Sequence, residues 1–331
     1  MVQCFVTGGN GFVGSYIVRL LLADKYDVTI LRRETSNLEL IDGLSFKSGI
    51  GDVRDLESLE NTVSDDIEWF FNNAAIMKDW GDKSKFYPVN VEGTRNVLEI
   101  IRKKDIPRLI HTSSTAVYGF PNSKEPLNEE APWSPINSYQ HSKAAAESLI
   151  REYMETYGVK ATMVRGPTVL GKGDFFTGPQ IIERIKQGRM VTFGGGNNQQ
   201  SYAHGEDFAR CLILAAEKFD KSVGNAYNVT SFTCSFRELL EKLADEIAAP
   251  KNFTNFPYMP SVAMGAGAAG FYRAFHRKQA PLMTPFRVKL FGSSYVIDST
   301  KARIELGYEP KWDLNSTVQD MVQWKGSVRE R

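Results

Sequence analysis

Short apolar runs alternate with amphipathic stretches through the first half of the chain. Val2–Val6 (VQCFV), Val28–Leu31 (VTIL), Ile67–Phe71 (IEWFF) and Arg108–His111 (RLIH) read as strands, with a further one before Gly51. Between them Phe12–Ala23, Leu56–Val63 and Val91–Arg102 repeat apolar residues at helical spacing. Ser138–Tyr157 predicts a long helix and Lys160–Val164 another strand. Parallel neighbours need a crossover, and a helix is the compact one, so this order predicts a doubly wound parallel sheet covered on both faces.

The rhythm changes after about Gly166. Residues 166–205 carry many glycines and only short helical patches such as Ile181–Lys186. Helices are predicted over Glu206–Lys218, Ser235–Ile247 and Ser299–Leu306, separated by loops rich in proline and glycine. This predicts a smaller α-rich portion over the carboxyl edge of the sheet, the edge at which open α/β sheets bind ligands.

Composition narrows the picture. Apolar residues are 42% and charged residues 24% of 331, which excludes a disordered, collagen-like or coiled-coil chain. Forty Lys+Arg against 39 Asp+Glu leave a net charge of +1, so nothing global points to nucleic acid. Cys4, Cys211 and Cys234 lie far apart and form no CxxC pair, which argues against disulfides or a zinc site and fits a reducing cytoplasm. His111, His141, His204 and His276 are scattered too, and no metal is expected. The start MVQCFVTGG lacks a basic segment and a long apolar one, so no signal peptide is expected. The weakly polar stretch Tyr258–Tyr272, followed by Arg277 and Lys278, falls short of the ~18 residues a spanning helix needs. A soluble protein is expected, touching a membrane surface at most.

Thr7-Gly8-Gly9-Asn10-Gly11-Phe12-Val13-Gly14 follows the first strand and opens the first helix. Glycines there permit a tight turn and let a pyrophosphate approach the helix N-terminus, the signature of dinucleotide binding. The second strand ends in Arg32-Arg33, where an acidic residue would bind the ribose 2′-hydroxyl of NAD. Arginine suits the 2′-phosphate of NADP, which is the favoured cofactor; a solvated surface pair is the plainer reading, and nearby Glu34 leaves NAD open. Asp52, in Gly51-Asp52-Val53 after the third strand, could accept from the adenine amino group, and Asn72-Asn73-Ala74-Ala75 would let backbone pass close to a cofactor. Residues 1–165, with returning strands at about 200–232, are therefore assigned to cofactor binding and 166–331 mainly to substrate.

Tyr139 and Lys143 stand four apart on one helix face. A nearby ammonium lowers a phenol's pKa and can also donate to a cofactor ribose, which makes Tyr139 a plausible acid/base. Upstream, His111-Thr-Ser-Ser114-Thr-Ala-Val-Tyr-Gly119 brings hydroxyls to the same sheet edge.

The set TGGNGFVG, GDV, NNAA, HTSSTAVYG and YQHSK, in this order, resembles the extended short-chain dehydrogenase/reductase family over nearly the whole chain. The resemblance implies that Ser114 binds the substrate oxygen, Tyr139 is the acid/base and Lys143 its ribose-binding partner. It implies a dimer through a helical bundle that includes the Tyr139 helix. Asn90 in PVNVEGT matches the family's helix asparagine near the active site, and Arg165–Gly171 and Tyr202–Ala209 match segments bordering the substrate.

Family members acting on nucleotide sugars usually carry an asparagine where this chain has Thr168, and an arginine for the diphosphate where it has Gln200. A diphosphate is costly to bury without charged donors, so both departures point away from sugar nucleotides. The C-terminal pattern is similar to the 3β-hydroxysteroid and 4α-carboxysterol dehydrogenase branch, whose apolar segment lies near the substrate and can touch a membrane. An ordinary packing helix accounts for Tyr258–Phe275 equally well. The expected activity is interconversion of a secondary alcohol and a ketone on an apolar or modest-sized molecule. A nucleotide-sugar 4-epimerase or dehydratase, and a nucleotide-sensing module without turnover, stay open.

Overall fold

The computed structural model describes residues 1–277 and 279–324; Lys278, expected beside the apolar segment, and 325–331 lie outside the described residues. The chain begins with β1 (Gln3–Thr7), α1 (Phe12–Ala23), β2 (Asp27–Arg32), β3 (Lys47–Ile50), α2 (Leu56–Thr62) and β4 (Trp69–Asn72), an alternation in which a single 3₁₀ turn (Glu39–Ile41) replaces the helix between β2 and β3. It continues through α3 (Lys83–Tyr87), α4 (Gly93–Lys103), β5 (Arg108–Ser114), α5 (Ser138–Tyr157) and β6 (Ala161–Gly166). With β10 (Ala226–Asn228) these strands form one seven-stranded sheet in the order β10-β6-β5-β4-β1-β2-β3. Every pairing in it is parallel. The chain turns back between β1 and β4, so the crevice at their carboxyl ends is the topological switch point.

Helical periodicity packs both faces. Ile17, Val18 and Leu21 of α1 join Leu212 and Ala216 in one buried layer. Val97, Leu98 and Ile101 of α4 join Leu149, Ile150 and Tyr153 of α5 in the other. Central strand β4 is buried along its whole length, as a strand covered on both sides must be. The helix predicted from Val91 is the end of a longer helical run, in which α3 passes through a π turn over Pro88–Glu92 into α4. Pro88 lacks the N–H that would close a regular turn, and the backbone widens there.

The rest of the chain is α-rich but contains small sheets that apolar periodicity did not disclose. It holds β7 (Thr168–Leu170), α6 (Thr177–Lys186), β8 (Val191–Phe193), β9 (Gln199–His204), α7 (Gly205–Glu217) and α8 (Phe219–Ser222). Beyond β10 come β11 (Phe232–Ser235), α9 (Phe236–Glu246), β12 (Thr254–Phe256) and α10 (Tyr258–Ala274). The described chain closes with α11 (Pro285–Gly292), α12 (Thr300–Leu306) and α13 (Leu314–Gln323). Strands β7, β9 and β11 form a three-stranded sheet and β8 pairs with β12. Of the segment around 200–232, only β10 returns to the main sheet. These strands have three to six residues, too short for a period-2 pattern to stand out.

A buried ion pair ties α5 to the sheet. Glu147 takes Arg165 of β6 in a bidentate grip, at 2.9 Å from Nε and 2.6 Å from a terminal nitrogen, with both side chains at or below 1% exposure. Ser113 Oγ donates to the same carboxylate at 2.5 Å, and Arg165 also donates to the Tyr118 hydroxyl at 2.8 Å. That hydroxyl donates in turn to Asn228 Oδ1 of β10 at 2.9 Å, and the Trp133 ring lies 5.3 Å from the guanidinium. Burial works against the Arg165 charge, but the Glu147 carboxylate outweighs it and raises its pKa. Removing one member leaves the other charge buried without a partner, so Arg165→Met should cost about 3–5 kcal/mol of stability. Urea denaturation checks this, with Arg165→Met/Glu147→Leu expected to recover most of the loss.

Candidate active site

The glycine turn is built by close approach. Gly8 has φ +66°, and a Cβ there would lie 2.9 Å from the Ala74 Cα; one at Gly14 would lie 2.0 Å from the Gly8 carbonyl oxygen. Thr7 Oγ1 fixes the turn to the end of β4, donating to Asn72 Oδ1 at 3.0 Å and accepting from Asn73 and Ala74 N–H at 3.0 and 3.1 Å. Gly11 caps α1 with extended backbone and no side-chain bond, and the first turn carries no acidic residue. The first N–H groups of α1 are thus left for an anion, which fits a dinucleotide pyrophosphate.

A cleft of about 560 Å³ opens there, floored by Gly8, Gly11, Phe12 and Val13. Gly14 does not line it; its role is the close packing of helix on turn. Asn73, Ala74 and Ala75 form one wall, and Arg32, Arg33, Asp52 and Val53 surround the far, β2–β3 end. Arg32 Nε donates to Ser48 Oγ at 3.2 Å. Arg54, not singled out from the sequence, also lines this end and grips Asp52 at 3.0 and 2.7 Å. The Arg54 hydrogen bonds lower the Asp52 pKa, and both carboxylate oxygens are already engaged by this cation. The only sequence signal for Arg54 was its place two residues after Asp52.

At the carboxyl ends of β5 and β6 the cleft brings together Ser114, Tyr139, Lys143 and Thr168. Asn137 caps α5, accepting from Gln140 N–H at 2.9 Å, which sets the first turn that carries Tyr139. Ser114 accepts from Ala116 N–H at 3.1 Å, donates to the Gly166 carbonyl at 3.3 Å, and lies against the Tyr139 phenol. Lys143 Nζ donates to the Thr112 carbonyl at 2.8 Å. The expectation that Lys143 lowers the Tyr139 pKa does not hold in the free chain. Burial dominates and pushes the phenol up to about 12, with only the Ser114 hydrogen bond opposing it. Burial also pulls Lys143 down to about 8, partly offset by Glu147. Beneath them His111 is held well below its ordinary pKa, by burial first and then by the Lys143 charge.

Two expected substrate contacts stand elsewhere. Asn90, on the π turn, does not line the cleft; its amide clamps Ile76 (N–H at 2.8 Å, carbonyl at 3.0 Å) and donates to Ser142 Oγ at 2.9 Å. It fixes the loop after β4 against the start of α5. Gln200 is 2% exposed, donates to the Leu290 and Ser293 carbonyls, and accepts from the Tyr202 hydroxyl at 2.8 Å, also outside the cleft lining. The end of the cleft away from the arginines is framed by Ile76, Phe120, Phe286, Leu290 and Tyr295, residues that no motif joins.

A cleft of this kind, at the switch point of a doubly wound sheet, belongs to an enzyme that works with a nicotinamide dinucleotide. The chain is a member of the NAD dependent epimerase/dehydratase family, which matches residues 4–230. It is 29% identical to sterol demethylase protein B of Methylococcus capsulatus over 337 residues, covering 98% of each chain. It is 32% identical to a putative UDP-glucose 4-epimerase of Methanocaldococcus jannaschii, covering 96% of this chain and 97% of that one. Among solved structures, that of gox2253 superposes with a TM-score of 0.84 at 24% identity over 98% of both chains.

Lys143 has a stability consequence. The folded chain gives up its proton near pH 8 and a free lysine only near 10.5, so the unfolded state binds more protons in between and stability rises with pH there. Lys143→Met removes this contribution. The melting temperature of the cofactor-free wild type, relative to the variant, should climb between about pH 8 and about pH 10; a difference independent of pH would contradict the assignment.

Proposed function

We propose that the enzyme interconverts a ketone and a secondary alcohol on an apolar or modest-sized substrate. What supports this reading is the convergence of Ser114, Tyr139 and Lys143 in a cleft whose end away from the arginines is aromatic and aliphatic. A bound nicotinamide would supply or accept the hydride at the carbinol carbon. Ser114 donates a hydrogen bond to the substrate oxygen, and Tyr139 gives its phenolic proton to that oxygen as charge develops there. A phenol held up at about 12 is protonated at neutral pH, which suits ketone reduction. Lys143 would hold the ribose of that cofactor with an N–H not taken by the Thr112 carbonyl. The 32% identity to a putative UDP-glucose 4-epimerase keeps a sugar-nucleotide 4-epimerase as the second reading. Against it stands Gln200, whose amide is committed to backbone carbonyls and offers no charge to a diphosphate.

Absorbance of the reduced nicotinamide separates the two. Net oxidation with apolar ketones supports the first reading, and sugar interconversion without net change supports the second. Tyr139→Phe should lower kcat by about a hundredfold or more in either case, and Ser114→Ala by roughly tenfold to a hundredfold. Arg32, Arg33 and Arg54 favour NADP in this reading. Arg32→Asp should then raise KM for NADP by at least about tenfold and improve NAD; an unchanged ratio would count against a 2′-phosphate site.

Peripheral membrane contact belongs to the same reading. No helix among the described residues is long and apolar enough to span a bilayer. Helix α10 packs inward through Ser261, Gly265 and Ala269 and leaves Met259, Met264 and Phe271 exposed, with Phe275 and Leu282 beside them. Between Glu246 and Asp298 the sequence has no acidic residue. Vesicles containing phosphatidylglycerol should sediment the protein, and Met264→Asp/Phe271→Asp should weaken this by about tenfold or more.

A further inference from the structure

Besides the glycine turn and Asn73–Ala75, the cleft takes a wall from the loop that joins β7 to α6. Asp174, Phe176 and Thr177 of this loop line the cleft. Gly173 lays it against the cleft floor, since a Cβ there would lie 3.1 Å from Leu40 and 3.4 Å from Phe12. The Asp174 carboxylate is turned back on its own chain, accepting from Phe176, Thr177 and Gly178 N–H at 2.7, 3.1 and 2.6 Å. It shapes the turn into α6 but ties the loop to no other part of the fold.

The Lys172 peptide makes that tie on both of its sides. Its N–H donates to Asp320 Oδ2 of α13 at 2.5 Å, and the Lys172 carbonyl accepts from the Tyr16 hydroxyl of α1 at 2.9 Å. Asp320 is itself held. His204 Nδ1 accepts from Glu206 N–H at 3.1 Å, so the neutral ring carries its proton on Nε2, which donates to the same Asp320 oxygen at 3.0 Å. The His204 ring is fully buried, stacked on Trp312 at 3.6 Å and edge-on to Tyr16 at 5.5 Å. Gly171 lets the loop run past this pair, because a Cβ there would lie 2.5 Å from His204 Nε2. Burial raises the Asp320 pKa, but the hydrogen bonds from His204 and Lys172 N–H outweigh it and lower it, so the acceptor is a carboxylate.

We propose that Asp320 and Tyr16 are positioning residues for the nicotinamide dinucleotide, holding the Lys172 peptide, and with it the wall at 173–177, in place before the cofactor binds. Helix α13, in the portion assigned from the sequence mainly to substrate, then serves the cofactor. A loop left free must be ordered when the ligand arrives, and affinity falls by that cost. Charge alone has the opposite sign: Asp320 is anionic, as the dinucleotide is, so removing its charge would strengthen binding. Weaker binding after loss of Asp320 therefore reports position, whichever substrate is turned over.

The test is fluorescence titration of the full chain with NADPH and with NADH, which needs no turnover. Asp320→Leu keeps the bulk and loses the acceptor, and should raise both Kd values about tenfold. Asp320→Asn, whose amide oxygen can accept both bonds, should stay within about twofold of the wild type. Tyr16→Phe, which frees the other side of the peptide, should raise Kd by roughly threefold or more. In the cofactor-free chain, Asp320→Leu should speed hydrogen exchange of amides 172–178 and leave those of β1 unchanged; saturating nucleotide should narrow the difference. Unchanged or tighter binding by Asp320→Leu, or equal weakening by Asp320→Leu and Asp320→Asn, overturns this role. If Asp320→Leu does not fold, Tyr16→Phe decides, and unchanged binding and loop exchange in that variant overturn it. A wild type that binds neither nucleotide removes the cofactor cleft and this role together.

Discussion

The pair Glu147–Arg165 sets the geometry on which the cleft depends. Glu147 lies one turn beyond Lys143 and two beyond Tyr139 on α5. Arg165 is the last residue but one of β6, and Ser113, also bound to Glu147, directly precedes Ser114 on β5. Through one carboxylate the helix that carries the phenol and the ammonium is locked in rotation and height against the strand that carries the serine. The pair is dry, so water does not screen it, and its hydrogen bonds are directional; a greasy contact would fix distance but not register. Tyr118 and Asn228 extend the same network to β10, the edge strand.

The two ends of the cleft have different physics. Around the glycine turn the interactions are backbone donors, an open helix terminus and three arginines, suited to a polyanion. At the other end the walls are mainly rings and aliphatic chains, with the Asp79 carboxylate among the lining groups. Binding one molecule across both requires the loop after β4 to keep its course. Asn90 does this by clamping Ile76, and it can reach because the π turn at Pro88–Glu92 displaces it from the regular helical path. Asp79 of the same loop is paired with Arg287 of α11, so the substrate end is closed by an ion pair between distant segments.

Burial reverses a local expectation. From spacing alone, Lys143 beside Tyr139 reads as a device for lowering a phenol's pKa. In the folded free chain both groups are taken out of water, and desolvation pushes each toward its neutral form. One N–H of the ammonium is held by the Thr112 carbonyl, which ties Lys143 to the end of β5.

The glycine turn, Ser114 and the Tyr139–Lys143 pair were legible in the sequence because each is a local pattern, a few residues long, at the end of an element with clear periodicity. The doubly wound sheet was legible for the same reason, since strands buried on both faces and amphipathic helices announce themselves within ten residues or so. The small sheets of the second portion were not, because strands of three or four residues carry too little pattern. Arg54 was not, because its place two residues after Asp52 is no motif, and Phe120 and Tyr295 were not, because they reach the cleft from segments that no spacing relates. The sequence by itself thus determined which chemical groups stand at the carboxyl edge of the sheet. Tertiary structure alone decided that Asn90 and Gln200 are tied to backbone instead of lining the cleft, and what surrounds the substrate. The physical reason is range: backbone periodicity acts over a turn or a strand, while the orientation of a buried amide or ring depends on partners tens to hundreds of residues away.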